Sequence, residues 1–394
     1  MIVGERQVAI VGLGQSEVGR RLGRSEMDLT LDACQSAVSD AGLTMADIDG
    51  LATFPGAMSI SPGFSGPGTA EVHDTLRLRL NWFSAGLEGP GPFTPIINAC
   101  MAIAGGLARN VLVYRTLTES SAKKSGGGGS GSRRASSGVA GMNQWLLPFH
   151  AYSAVNWLAL YAQAYMHRYG LRREQLGAIA INAHANAAVN PNAILHDLLT
   201  LDEYLDARMI STPYCLYDCD IPCDGATALV LSHVDELPAG AARAVHVEAV
   251  GGALHGRPSW DQWDDLTTMA MFDAAAQLWE RTDFSPGDID VAELYDGFSF
   301  TALLWLEALG ICARGEAGPM VEDGTVIARD GMFPLNTDGG QLAAGRLHGF
   351  GRVYEACVQL RGDGDARQVP GQPQLAVATA GAGPIGAALL LRAS

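Results

Sequence analysis

The chain has 394 residues, 48% of them hydrophobic, and a formal charge of −16 with a pI near 4.9. A field of that sign repels phosphate backbones and argues against a nucleic-acid partner, although one local arginine cluster can still bind a phosphate. No apolar run reaches the ~18 residues of a membrane span, no basic segment leads into an apolar one at the N-terminus, and seven scattered cysteines suit reduced thiols rather than a disulfide framework. A cytoplasmic location is the expectation.

In chain order, RQVAIVGLG (6–14) reads as a strand ending in glycine. An amphipathic helix follows within DACQSAVSDAGLTMADIDGLATF, then a turn and an apolar strand. The Gly-rich turn GLEGPGP (86–92) precedes a helix feeding a strand, NACMAIAGGLARNVLVYR (98–115). Residues 119–141 carry SSAKKSGGGGSGSRRASSG, low in complexity and locally basic, and read as a flexible surface loop; a phosphate-binding or lid role is the alternative. Helices are expected at 157–170, 174–190 and 200–209, and a buried strand at DGATALVLS (224–232). AVHVEAVGG (244–252) is again a strand, DAAAQLWERTDFSPGDIDVAELY again helix, turn and strand, and the Gly-rich GRLHGFGR (345–352) again precedes a helix (EACVQL) and a strand (QLAVATA).

The later segments repeat the earlier ones. Asp32 aligns with Asp273 and Asp47 with Asp288 at a constant offset and without a gap. The repeat divides the chain into an N-terminal half (1–118), an insertion (119–241) and a C-terminal half (242–394). It predicts an α/β fold of two pseudo-symmetric βαβαβ-type halves, with two sheets related by a pseudo-twofold axis. The helices after the two Gly-rich turns form the buried central pair. Their N-termini meet there, presenting free N–H groups and partial positive charge to a developing oxyanion.

Several simpler readings fail. GLGQSEVG after the first strand has GxG but not GxGxxG and lacks the closing acidic residue, so glycines of a loop explain it better than a dinucleotide. Cys215, Cys219 and Cys223 are spaced CxxxCxxxC without a partner pair, which speaks against a metal site. There is no GxSxG elbow.

YDCDIPCDGATALVLS (217–232), AELYDGFSF (292–300), GGQLAAGRLHG (339–349) and TAGAGPIGAALLL (379–391) resemble motifs of the thiolase superfamily in its sterol-carrier-protein-X-type branch. That resemblance implies the thiolase fold, with layers α-β-α-β-α and the long insertion. It also exposes departures. A condensing thiolase needs a cysteine at the N-terminus of the first central helix, and here Glu88-Gly89-Pro90-Gly91 stands there. Cys100 lies mid-helix and matches Cys357, so both read as small core residues. The Gly-His-Pro position holds Gly345-Arg346-Leu347, and the final hairpin offers Thr379-Ala380 where a second cysteine belongs.

Lacking these groups, the chain resembles the thiolase-like aldolases of steroid side-chain catabolism, through LHGRPSWDQWDDLTTMA (254–270), the YDGFS loop and GRLHGFG. The resemblance implies retro-aldol cleavage of a β-hydroxyacyl-CoA. It further implies a homodimer core within a heterotetramer whose small partner carries a zinc ribbon and an OB-fold. Coenzyme A then enters only as part of the substrate, with zinc only in the partner and no metal or cofactor in this chain. Such a lyase needs a base for the β-hydroxyl, donors for the enolate and an acid to protonate it. Tyr295, at the loop thiolases devote to catalysis, is the first candidate, with Arg346 or His348 lowering its phenol if the loops converge. His348, His255 and Asp296 are further acid, base or donor candidates, and the amides of Gly89 and Gly91 are the oxyanion-hole candidates. A non-catalytic lipid or acyl-CoA carrier or scaffold, and a thiolase-like acyltransferase, are the competing readings.

Overall fold

The computed structural model describes residues 4–57, 62–122, 143–237, 243–260 and 262–394; the flexible-loop expectation for 119–141 falls, from 123 onward, outside the described residues. The strands are β1 (Val8–Gln15), β2 (Gly50–Thr53), β3 (Trp82–Ala85), β4 (Asn110–Thr118), β5 (Met209–Ser211), β6 (Tyr214–Cys215), β7 (Asp224–His233), β8 (Val245–Gly251), β9 (Val291–Glu293), β10 (Leu375–Ala380) and β11 (Ala387–Arg392). β5 and β6 form a small hairpin; the others form one sheet in the order β3-β2-β4-β7-β1-β8-β11-β10-β9. From the middle outward, β1-β7-β4-β2 and β8-β11-β10-β9 share the same pattern: two antiparallel pairings, then a parallel one. In space, the N-terminal half takes β7 from the inserted segment.

The repeat extends to individual hydrogen bonds. Asp47 accepts from the amide (2.8 Å) and hydroxyl (2.7 Å) of Thr44, and Asp288 accepts from Ser285 at the same two distances. Asp49 accepts from the amide that opens β4, Asn110, and Asp290 from the one that opens β10, Leu375, each at 3.0 Å. A Cβ at Gly14 would lie 2.0 Å from the Ala33 carbonyl oxygen, and one at Gly251 would lie 2.0 Å from that of Ala274. Gly12 and Gly14 therefore sit within β1, not in a loop, where they let a helix pack directly on the strand.

The expectation of two sheets needs correcting. The two halves join edge to edge through β1 and β8, although only Ala9–His246 and Ile10–Val245 pair. The pairing satisfies two edges that would otherwise be left open. The strands are apolar on both faces because helices cover both. Along β4, Val111 and Val113 face the central helices Thr94–Ala104 and Phe350–Arg361, while Leu112 and Tyr114 face the outer helix Glu26–Asp40. Helices Ala154–Tyr169, Arg173–Ala187, Ala270–Trp279 and Ser299–Ala308 cover the C-terminal half. The first two fall close to the expected 157–170 and 174–190, and a short helix, Leu201–Asp206, stands within 200–209.

Cys100 and Cys357 are both fully buried between the central helices and the strands. The helix ends meet as expected: a Cβ on Gly349, just before the second central helix, would lie 3.4 Å from Pro92, at the mouth of the first.

Candidate active site

Tyr295 and Phe54 lie just beyond the C-terminal ends of the equivalent strands β9 and β2. Thr379, at the position of the missing second cysteine, accepts a hydrogen bond from the Tyr295 amide at 2.7 Å. The Tyr295 ring folds over Gly297, where a Cβ would lie 2.8 Å from the ring, which explains the glycine of the YDGF motif. The hydroxyl of half-buried Tyr295 has no protein partner among the described residues.

His348 stands between these two aromatics, its ring centroid 6.3 Å from each, stacked on Phe54 and edge-on to Tyr295. Phe64 meets it edge-on at 4.9 Å. His348 adopts φ 53°, a left-handed conformation unusual for a residue with a side chain, at the N-terminus of the second central helix. Its Nδ1 is buried without a hydrogen-bond partner among the described residues.

A buried carboxylate secures the segment that carries His348. Asp296 accepts from the amides of Gln341 (2.9 Å) and Leu342 (3.4 Å) in the π-turn Gly340–Ala344, so its oxygens are engaged by backbone. Arg346 donates to Glu119 and, at 3.3 Å, to Asp220, while its amide bonds to Ile221 O at 2.9 Å. Arg346 is thus the clasp between the second-half loop and the inserted segment. Beneath the helix, Arg352 pairs with Glu293 at 2.7 Å and with Asp338 at 2.5 Å, all but out of reach of water.

Burial, then the Asp220 charge, pushes the Tyr295 phenol up; Arg346 opposes this without reversing it. The expected lowering of this phenol by Arg346 is overcome, because burial and the carboxylate charges around it outweigh the guanidinium. Tyr295 therefore remains protonated near neutrality. Burial, then the charges of Arg115 and Arg346, pushes His348 well below its ordinary value, so its imidazole is neutral. Burial raises Asp220 to about 6 against the pull of Arg346.

The other sequence candidates stand apart from this cluster. His255 is exposed; its amide donates to Asp273 at 2.7 Å and its Nδ1 lies 3.2 Å from the same carboxylate. Gly89 is exposed, and the Gly91 amide donates to Gly89 O at 2.7 Å. No thiol is poised for attack. Burial raises Cys100 and Cys357, the latter to about 12, and Cys223, behind Gly345, is likewise buried and raised. Among the described residues no group of three or more His, Cys, Asp or Glu is placed to hold a metal ion.

The sequence reading missed Phe54, Phe64, Arg115, Glu119 and Asp220. A signal existed for Phe54, because the gapless repeat aligns it with Tyr295. The remaining four converge only through long-range packing.

Residues 252–391 match the family model "Thiolase C-terminal domain-like". The chain is 34% identical, over 98% of its length and 97% of the relative's, to a steroid side-chain-cleaving aldolase of Thermomonospora curvata. It is 31% identical, over 90% of its length and 92% of the relative's, to the 17-hydroxy-3-oxo-4-pregnene-20-carboxyl-CoA lyase of Mycobacterium tuberculosis. It superposes on the solved structure "Ltp2-ChsH2(DUF35) aldolase" with a TM-score of 0.85, at 32% identity and over 99% of each chain. By these matches the chain belongs to the thiolase superfamily, among its thiolase-like side-chain-cleaving aldolases.

Proposed function

We propose that this chain is a carbon–carbon lyase that cleaves a β-hydroxyacyl-CoA side chain, carried by a steroid, in a retro-aldol reaction. The observation that carries the reading is a free phenol beside a neutral imidazole at the mouth of the second central helix, where no thiol stands. His348 takes the β-hydroxyl proton. The Cα–Cβ bond breaks, its electron pair passes to the thioester enolate, and the β-carbon becomes a ketone. Tyr295 donates a proton to the enolate α-carbon and is recharged by way of His348, so no proton is gained or lost. Asp296 and Arg346 hold the loops and stay outside the proton path.

The coenzyme A moiety belongs to the substrate. The chain works in the cytoplasm as a homodimer core within a heterotetramer, with a zinc-ribbon/OB-fold partner. The two component names in the description of its structural relative support a second chain. The test is to incubate the chain, alone and co-expressed with such a partner, with 17-hydroxy-3-oxo-4-pregnene-20-carboxyl-CoA, the compound named for one relative. Breaking the bond between the hydroxyl-bearing carbon and the α-carbon of that skeleton releases a ketosteroid and propionyl-CoA. A covalent acyl adduct in the intact mass would instead support an acyltransferase, and no product under any condition would support a carrier.

A further inference from the structure

Arg115 lies in β4 with 1% of its surface exposed, and it is in none of the ion pairs among the described residues. Its Nη1 donates to the Thr116 carbonyl at 3.0 Å, whereas Nε and Nη2 are buried with no partner among the described residues. These two atoms form one edge of the guanidinium, the edge that chelates an oxyanion with two N–H groups. The guanidinium lies over Phe64 (4.8 Å) and Phe54 (5.6 Å), the same two rings that flank His348. Thr227, its cross-strand partner on β7, has a buried hydroxyl without a partner, as do His348 Nδ1 and Arg346 Nε.

A buried cation without an ion-pair partner of its own is destabilising, so a purely structural arginine here would be paired. The nearby carboxylate, Glu119, is already engaged by Arg346. Burial lowers Arg115 to about 9, which leaves it charged at neutral pH. We propose that Arg115 is the oxyanion contact of the reaction: its Nε/Nη2 edge holds the oxygen of the thioester enolate as the carbon–carbon bond breaks. This rests on the lyase reading and names the group that stabilises its charge.

The test pairs Arg115→Met and Arg115→Lys with wild type, in whichever assembly the wild type is active. Two rates are read: cleavage of the steroidal thioester, and exchange of the α-hydrogen of propionyl-CoA for deuterium in D2O, which needs only the enolate. The expectation for Arg115→Met is a fall of about 100-fold or more in both rates, with KM within about threefold of wild type. Its Tm should be no lower, since an unpaired buried charge has gone. Arg115→Lys keeps the charge but loses the two-donor edge, and both its rates should fall about tenfold or more. Lys at wild-type rates overturns the proposal, as does a raised KM with kcat kept, the sign of a phosphate held in the ground state. A Met variant that loses stability while Lys keeps its rates marks Arg115 as structural. Wild-type exchange without steroid cleavage refutes the substrate reading and leaves the Arg115 assignment standing, whereas a wild type inert in both assays sinks the lyase reading itself.

Discussion

The mouths of the two central helices are built on one plan and carry different chemistry. The alignment that pairs Cys100 with Cys357 sets Gly89 and Gly91 of the first half against Arg346 and His348 of the second. Likewise Phe54 answers Tyr295, and the strand alignment of Asn110 with Leu375 sets Arg115 against Ala380. Each half therefore contributes what the other lacks: an arginine and an apolar wall from the first, a phenol and an imidazole from the second. His348 lies at equal distance from the two matched aromatics, stacked on Phe54 and edge-on to Tyr295, and the Tyr295 hydroxyl is the one polar group the pair brings to it. A duplicated frame has room for one asymmetric site because backbone hydrogen bonding repeats while side chains at the shared axis diverge.

The most direct way to break this asymmetry is Tyr295→Phe, which makes the two sides alike. Cleavage should fall by about 10²–10⁴-fold, with the Tm unchanged because the hydroxyl has no protein partner; a variant with wild-type turnover removes Tyr295 from the mechanism. His348→Gln should lower kcat by about 100-fold and also alter stability in acid. The folded state holds this imidazole neutral, while the unfolded chain protonates it below its ordinary 6.5. Stability is therefore lost as pH falls from about 6.5 toward the depressed folded value. Denaturant titrations across that window should show a shallower acid loss in His348→Gln, and an unchanged slope would mean that the histidine is not held neutral.

A second contrast lies beneath the helices. Arg352, Glu293 and Asp338 anchor the second central helix by charge, whereas Ile96, Ala99 and Cys100 seat the first by apolar contact. Arg352→Met strands two carboxylates and should cost about 3–5 kcal/mol of unfolding free energy; a loss below about 1 kcal/mol would mean that the pair is not dry. The matched cysteines should matter least. Replacing Cys100 and Cys357 together by Ala should leave turnover within about twofold and cost about 1 kcal/mol at each site. Abolished activity in a folded double variant would return a thiol to the mechanism.

Much of the frame was legible in advance. Periodicity and the constant offset located the paired units, the central helices and the strand that closes the insertion, since burial on a helix face or a strand is written locally every few residues. Tyr295, Arg346 and His348 were legible too, because each sits in a Gly-rich loop at a position the thiolase resemblance marks. The edge-to-edge joining of the halves was not, since pairing between β1 and β8 involves only two residue pairs and leaves no periodic trace. Nor was Arg115, which reads as an ordinary strand residue until two phenylalanine rings and the absence of a partner single it out.

The sequence by itself determined the duplicated α/β frame, because that follows from local pattern and from a repeat of the chain against itself, and its resemblance to the thiolase superfamily marked the missing nucleophile and the loops that bear the candidate side chains. Only the tertiary structure decided protonation and company: that Arg346 is taken up by Glu119 and Asp220, that Tyr295 keeps its proton, that His348 is neutral and that Arg115 faces the site unpaired. The physical reason is that charge state depends on burial and on neighbours more than a hundred residues away, and neither quantity exists until the chain has closed.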